Sequence, residues 1–206
     1  MQFEFLKYDL YRYFYPNDNI SKISLFEKIK IIIRTQGIWA IFLYRLNRWA
    51  QYECPYGIIR LLIKPFGFFL QILMEMATGI YIAPEADIGP GFYIGHFGNI
   101  MIGCGVKIGK LVNISHEVTI GFAGRGGSWG HPEVIGDFVY IAPGAKIVGK
   151  VCIGNHSVIG ANSVVTKSVP DNGVAFGIPA RIINYDSSRD FVCYNHKKNE
   201  KILQNL

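Results

Sequence analysis

The sequence predicts a mainly β protein, a parallel β-helix of six-residue repeats that follows an α-helical N-terminal region. Three observations support this: an isoleucine at every sixth position from residue 82, small residues that often follow it, and helical patterns before it. An α-helix cannot use a period of six, because successive positions would rotate around its axis. In a β-helix each repeat makes one short strand with an inward apolar residue, and three repeats close one coil.

The repeat continues to residue 165, and valine replaces isoleucine at its last position. The residues at the repeated position are Ile82, Ile88, Ile94, Ile102, Ile108, Ile114, Ile120, Ile135, Ile141, Ile147, Ile153, Ile159 and Val165. Strands from successive coils pair with one another, so these side chains should stack inside the coils as the core. We therefore place the β-helix domain at residues 80–183 and a polar C-terminal tail at residues 184–206.

The repeat is interrupted twice. Two extra residues lie between positions 94 and 102, and nine lie between positions 120 and 135. The longer insertion is rich in glycine and contains Trp129, and His131 and Pro132 follow it. A loop that projects from a rigid scaffold is a common place for function. The sequence therefore predicts that this loop forms part of a binding site.

Three helices are predicted in residues 1–79. The first begins at Ser24, because Glu27 follows at the spacing of a capping box. The other two fit residues 37–52 and 57–78, which are apolar around much of their circumference. Together these helices form the predicted N-terminal region.

The third predicted helix contains Pro65 and Gly67, which should bend or interrupt it. Basic side chains are interspersed along the last two helices, and two interpretations remain open. The helices pack on one another, on the β-helix or on partner subunits, or part of their surface makes a peripheral contact with an anionic membrane. The uncharged stretches are shorter than the roughly twenty residues of a spanning helix. We expect that the chain does not cross a membrane.

Composition narrows the function classes. The chain has 206 residues and a formal charge of +6, is 50% hydrophobic and has only 17% charged residues. Nucleic-acid binders usually show a denser basic stripe, so we expect no nucleic-acid partner. The four cysteines form no C-x-x-C pair, which gives no support to a metal site. No secretory signal is evident, so a cytoplasmic location is predicted.

The histidines suggest a site. His96 and His116 each occupy the third position of a repeat, and they lie 20 residues apart, one coil of 18 residues plus the two-residue insertion. Their side chains should therefore stack on adjacent coils. A neutral imidazole can act as a general base. His131, beside the glycine-rich loop, should face a ligand in the adjoining groove, whereas His156 is expected at the surface.

Over residues 80–183 the chain resembles the serine acetyltransferase-related group of hexapeptide acyltransferases. The resemblance lies in "IGHFGNIMIG", "NISHEVTIGF", "GHPEVIGDFVYIAPGAKIVG" and "IGANSVVTKSVPDNGVAFGIPARII". It implies a left-handed coil, a homotrimer, and acetyl-CoA bound in a groove between neighbouring subunits. It also implies transfer of the acetyl group to a hydroxyl.

In serine acetyltransferases the base is a histidine in an Asp-His pair, and a second histidine in an Arg-His-Pro sequence completes the site. The matching positions here are His96 and His131, but glycines, Gly95 and Gly130, precede them, and Tyr81 replaces an aspartate that orients the base. Without those charges, the ammonium and carboxylate of serine would be unpaired. The sequence therefore favours a neutral acceptor, a sugar hydroxyl of a surface polysaccharide such as a capsule, or of its precursor. Serine is the alternative.

The resemblance and the residue chemistry together predict roles. His96 or His131 removes the proton of the acceptor hydroxyl as its oxygen attacks the thioester, without an acyl-enzyme. His116 and Trp129 contact the acceptor, and Trp129 stacks on a sugar ring. Residues predicted to bind the pantetheine or the phosphates of acetyl-CoA are Ala142, Ala161, Lys146, Lys167 and Arg181.

Two other classes remain open. The first is a metal enzyme like the hexapeptide carbonic anhydrases, in which His96, His116 and His131 would bind zinc. The spacing of the loop histidine differs from that pattern, so we expect no metal. The second is a scaffold without catalytic activity, which would not bind coenzyme A.

Overall fold

The computed structural model describes residues 1–14, 23–122, 130, 132 and 134–192. Its helices are α1 (Gln2–Phe14), α2 (Leu25–Arg34), α3 (Gln36–Tyr52) and α4 (Gly57–Thr78). Its strands are β1 (Ile80–Ile82), β2 (Asp87–Ile88), β3 (Tyr93–Ile94), β4 (Ile100–Ile102), β5 (Lys107–Ile108), β6 (Asn113–Ile114), β7 (Thr119–Gly121), β8 (Val134–Ile135), β9 (Tyr140–Ile141), β10 (Lys146–Val148), β11 (Cys152–Ile153), β12 (Val158–Ile159), β13 (Val164–Val165), β14 (Val174–Gly177) and β15 (Ala180–Asn184).

The strands form three sheets, one for each face of the coil. Their orders are β1-β4-β7-β10-β13, β11-β8-β5-β2 and β15-β14-β12-β9-β6-β3. The pairs between coils are parallel, and β15 returns antiparallel to β14. This arrangement confirms the predicted fold class, a parallel β-helix that follows N-terminal helices.

The repeated isoleucines form the core of the coil. Each of the thirteen residues at the repeated position is at most 4% exposed. Full burial of such a side chain contributes about 1.5–3 kcal/mol relative to the exposed state. The six-residue spacing therefore accounts for both the strand positions and the burial.

Both interruptions leave the strand pairing intact. β10 pairs with β13 at an offset of 18 residues, Lys146 with Val164. Tyr93 pairs with Asn113 at an offset of 20, and Asn113 with Tyr140 at an offset of 27. The extra residues therefore lie outside the ladders, as the sequence predicts.

Helix α2 begins at the predicted capping box. The Glu27 backbone N–H donates to Ser24 Oγ at 3.2 Å, and the Ser24 N–H donates to Glu27 Oε2 at 3.0 Å. None of the residues of α2 is buried, so its first turn depends on these local hydrogen bonds more than on packing.

Replacing Ser24 by alanine is expected to destabilise α2 by about 0.5–2 kcal/mol, because two N–H groups of the first turn lose their acceptor geometry. Hydrogen exchange of the α2 amides measures this change. Glu27→Gln is the matched control, since glutamine keeps the reciprocal hydrogen bond of the box. Unchanged exchange in the Ser24 variant would contradict the prediction.

Helix α4 runs from Gly57 to Thr78 through Pro65, so the predicted interruption does not occur. Packing against α3 explains this difference. A Cβ at Gly67 would overlap Asn47 Oδ1, which shows how closely the two helices approach. Asn47 Nδ2 also donates to Gln71 Oε1 at 3.2 Å. Contacts beyond the proline thus hold the helix in one piece.

Much of α4 is exposed and apolar. Length and hydropathy alone would allow residues Arg60–Thr78 to span a membrane, and 11% of this stretch is buried within the chain. Core helices of soluble proteins pass the same test, so it is weak evidence for a membrane span. Leu61, Phe68 and Met76 are 73%, 69% and 80% exposed. This surface is large enough to favour contact with another molecule.

A buried ion pair joins the helices to the first coil. Arg45 Nε lies 2.9 Å from Asp9 Oδ2, and both side chains are at most 1% exposed. Arg45 also donates to the carbonyls of Ile88 and Gly89, at 2.6 and 2.7 Å. Asp9 Oδ1 accepts from the Phe92 N–H at 2.8 Å. Helices α1 and α3 are therefore fixed on the strands that begin the coil. Helix α1 is absent from the sequence prediction.

Candidate active site

A cavity of about 530 Å³ opens on the outer face of the sheet that contains β3, β6 and β9. Tyr93, Asn113 and Tyr140 lie in one register across these strands and line the cavity. Each precedes a buried isoleucine, so alternation along the strand turns its side chain outward. The repeat that builds the core therefore also builds this surface.

His96 and His116 line the same cavity, on the turns that follow β3 and β6. Their ring centroids are 5.9 Å apart and their planes are inclined by 73°. This geometry confirms the expected stacking on adjacent coils. His96 is exposed and His116 is half-buried, so the first imidazole is the more accessible to a substrate.

Helix α1 supplies a cation to the cavity. Arg12 lies in its last turn, is 6% exposed, and lines the cavity. Its Nη1 donates to the Gly91 carbonyl at 2.7 Å, and its Cζ lies 5.2 Å from the centre of the Tyr93 ring. Sequence reasoning misses this residue because it lies 84 positions before His96, in a helix without a recognisable motif.

The same helix fixes strand β3. The Tyr13 hydroxyl donates to the Ile94 carbonyl at 3.1 Å and accepts from the Ile94 N–H at 2.9 Å. Burial raises the pKa of Tyr13, so the hydroxyl stays protonated and keeps both hydrogen bonds. Since Ile94 is two residues before His96, α1 helps to position the imidazole.

Residues of the C-terminal segment close another side of the cavity. Phe191 lines it and stacks on Tyr140, with ring centroids 5.1 Å apart. The Phe191 carbonyl accepts from Asn113 Nδ2 at 3.5 Å. Asn113 is 8% exposed, and its Oδ1 is buried without a hydrogen-bond partner among the described atoms. Such an acceptor is costly unless a ligand supplies a donor.

The two glycines that precede the predicted catalytic histidines differ sterically. A Cβ at Gly95 would lie no closer than 3.6 Å to its neighbours, which is ordinary contact. Gly130 has a φ of 73°, a left-handed conformation that strains other residues. A side chain therefore fits at position 95, whereas the backbone at position 130 favours glycine.

The five residues predicted to bind the coenzyme do not line this cavity. Ala142 is buried and its N–H donates to the Ile159 carbonyl at 2.9 Å, and the Lys146 ammonium donates to the Glu117 carbonyl. The exposed members of the set are Ala161, Lys167 and Arg181. Their role as coenzyme ligands stays a prediction.

The predicted site residues Trp129 and His131 lie outside the described residues. Within the described ranges, no group of three His, Cys, Asp or Glu side chains is placed to hold a metal ion. The alternative zinc site needs His131 together with His96 and His116. The described geometry thus supplies two of those three side chains.

Comparison with known proteins identifies relatives. The family description "Bacterial transferase hexapeptide (six repeats)" matches residues 134–167. A serine acetyltransferase of Mycobacterium tuberculosis is 38% identical over 155 residues, which are 75% of this chain and 64% of that protein. A serine acetyltransferase of Bacillus subtilis is 34% identical over 197 residues, 96% of this chain and 84% of that protein. The chain therefore spans slightly under two thirds of the first relative and most of the second.

Solved structures show the same likeness. The Neisseria gonorrhoeae serine acetyltransferase in complex with serine has a TM-score of 0.70 at 28% identity, over 89% of this chain and 69% of that chain. A serine acetyltransferase in complex with CoA has a TM-score of 0.67 at 28% identity, over 88% and 69%. These relatives confirm the resemblance on which the left-handed coil and the acetyl-CoA prediction rest.

The relatives contradict the predicted acceptor. Each relative named above is a serine acetyltransferase, so the prediction of a surface-polysaccharide O-acetyltransferase with a carbohydrate acceptor is wrong. They also give no support to a membrane contact. The acceptor prediction considers only Gly95 and Gly130. The structure brings Arg12 and Asn113 to the cavity from positions outside the family motif.

Proposed function

Because this chain belongs to the serine acetyltransferase family, we propose that it transfers the acetyl group of acetyl-CoA to the hydroxyl of serine. The observation that carries the proposal is the similarity over 96% of the chain to the serine acetyltransferase of Bacillus subtilis. The site supports it, because two imidazoles line a cavity large enough for a small acceptor.

His96 is the general base of the proposed reaction. Its imidazole accepts the proton of the serine hydroxyl as the oxygen attacks the thioester carbonyl carbon, which forms the new C–O bond. Backbone N–H groups stabilise the negative charge on the carbonyl oxygen. The C–S bond then breaks, and the imidazolium returns its proton to the CoA sulfur. His116, 5.9 Å away, positions the acceptor or the His96 ring.

We propose a cytoplasmic homotrimer with acetyl-CoA bound between neighbouring coils. Support comes from the likeness to a serine acetyltransferase in complex with CoA, and from the exposed apolar surface of α4, which contact with partner subunits would cover. Ala142 and Ala161 would lie beside the pantetheine, and Lys146, Lys167 and Arg181 near the phosphates. Sedimentation equilibrium at several protein concentrations measures the subunit number.

Thiol release from acetyl-CoA tests the function. We expect release that depends on serine and yields O-acetylserine by mass spectrometry, because the imidazole activates a hydroxyl only when one is bound. Glucose is the control acceptor, since it offers hydroxyls without the ammonium and carboxylate. Binding of CoA with no serine-dependent release would overturn the proposal.

A further inference from the structure

We propose that this chain binds the acceptor amino acid through Arg12 and Asn113, which replace the charged pair absent from positions 95 and 130. Arg12 binds the carboxylate, and Asn113 Oδ1 accepts a hydrogen bond from the ammonium. The inference rests on the proposed function, because it assigns the two charged groups of serine.

The charge of the cavity supports the assignment of the carboxylate. Among the described residues that line it, and apart from the histidines, Arg12 carries the one full charge, and no Asp or Glu is present. A guanidinium matches a carboxylate with two parallel N–H donors. Arg12 is 6% exposed, so its field is screened less than that of a surface arginine.

Arg12 is also held in place before any ligand binds. Its hydrogen bond to the Gly91 carbonyl and its position over the Tyr93 ring restrict its rotamers. The nearby carboxylate of Asp9 is engaged in the ion pair with Arg45 at 2.9 Å. A fixed cation loses little conformational entropy on binding an anion.

Asn113 supplies the complementary acceptor. The Phe191 carbonyl can only accept a hydrogen bond, so the amide nitrogen of Asn113 must face it and Oδ1 must face the other way. This oxygen has no hydrogen-bond partner among the described atoms, although the residue is 8% exposed. An ammonium has three N–H donors and would satisfy it.

The two side chains lie near the imidazoles in the same order as the groups of serine. Tyr93, beneath Arg12, and Asn113 are paired residues of neighbouring coils. His96 and His116 follow them by three residues on the same coils. The carboxylate, ammonium and hydroxyl of one small acceptor can therefore each meet a separate group of the cavity.

An acceptor series on the unmodified enzyme tests the inference. Serine is compared with serinamide, which lacks the carboxylate, and with 3-hydroxypropanoate, which lacks the ammonium, at a pH where both amines are protonated. We expect kcat/KM to fall by about 10- to 100-fold for each analogue, as for the loss of a hydrogen bond to a charged group.

Variants then assign each effect to a residue. Arg12→Gln should abolish the discrimination between serine and serinamide, and Asn113→Ala the discrimination between serine and 3-hydroxypropanoate. Arg12→Lys keeps the charge and should retain part of the first effect, which also serves if Arg12→Gln does not fold. Arg48→Gln is the matched control, because Arg48 contacts Ala86 and Asp87 and does not line the cavity.

The outcomes separate this inference from the proposed function. Serine-dependent thiol release that is equally fast with serinamide and 3-hydroxypropanoate would overturn the inference alone. Discrimination that persists unchanged in Arg12→Gln and Asn113→Ala would also overturn it. No thiol release with serine or with any analogue would overturn the proposed function and, with it, the inference.

Discussion

Replacing His96 by asparagine is expected to lower kcat for acetyl transfer by about 10²–10⁴-fold, because the amide cannot accept the hydroxyl proton. His96 is exposed at the rim of the cavity, so its loss should leave the coil and the binding of CoA unchanged. Steady-state kinetics with serine measure the first effect. Calorimetry with CoA measures the second.

His156→Asn is the control for this variant. His156 stacks on Phe138, with ring centroids 4.6 Å apart, and does not line the cavity. Its φ of 56° is left-handed, a conformation that asparagine adopts more readily than most residues. We expect this variant to keep its activity. Full activity of His96→Asn would eliminate His96 as the base.

The second large effect concerns stability. Asp9→Asn is expected to lower the free energy of unfolding by about 3–5 kcal/mol, because it leaves the Arg45 cation buried without its counter-charge. Both side chains are at most 1% exposed, so water cannot replace the lost partner. Equilibrium denaturation at a fixed protein concentration measures the change, since assembly also contributes to stability.

An exposed ion pair between the same parts of the fold provides the comparison. Arg48 Nη2 lies 2.6 Å from Asp87 Oδ1, and the aspartate is 60% exposed. Asp87→Asn should cost at most about 1 kcal/mol, because solvent already screens this pair. Equal losses for Asp9→Asn and Asp87→Asn would show that burial does not determine the contribution of these pairs.

The β-helix could be predicted from sequence because one inward residue per repeat determines both strand position and burial. Ile94 and Ile114 are examples, since each ends a strand and is at most 1% exposed. Helix α1 could not be predicted in the same way. Its buried side chains, such as Asp9 and Tyr13, make their contacts with the coil, and those contacts exist only in the folded chain.

The site divides along the same line. The pairing of His96 with His116 follows from counting residues along the repeat, and the structure shows it. Arg12 reaches the cavity through the docking of α1, so no spacing along the chain reveals it. Asn113 occupies the outward position before Ile114, and the register with Tyr93 and Tyr140 was available as a signal.

The acceptor prediction fails for a related reason. It treats Gly95 and Gly130 as sufficient to exclude a zwitterion, although binding groups can come from another element of the fold. Gly95→Asp is a direct check, because a Cβ at this position meets its neighbours only at ordinary contact distances. The aspartate should strengthen serine binding if the ammonium lies beside it, as a lower KM for serine would show.

The pairing of Asn113 with Tyr140 across an offset of 27 residues has an evolutionary consequence. Coils above and below the long insertion meet in the same ladder as coils without one, so the scaffold does not constrain the length of the loop. Insertions and deletions at this corner can therefore be tolerated one after another while the hydrophobic interior is retained. Divergence in substrate preference within such enzymes can then proceed without loss of foldability.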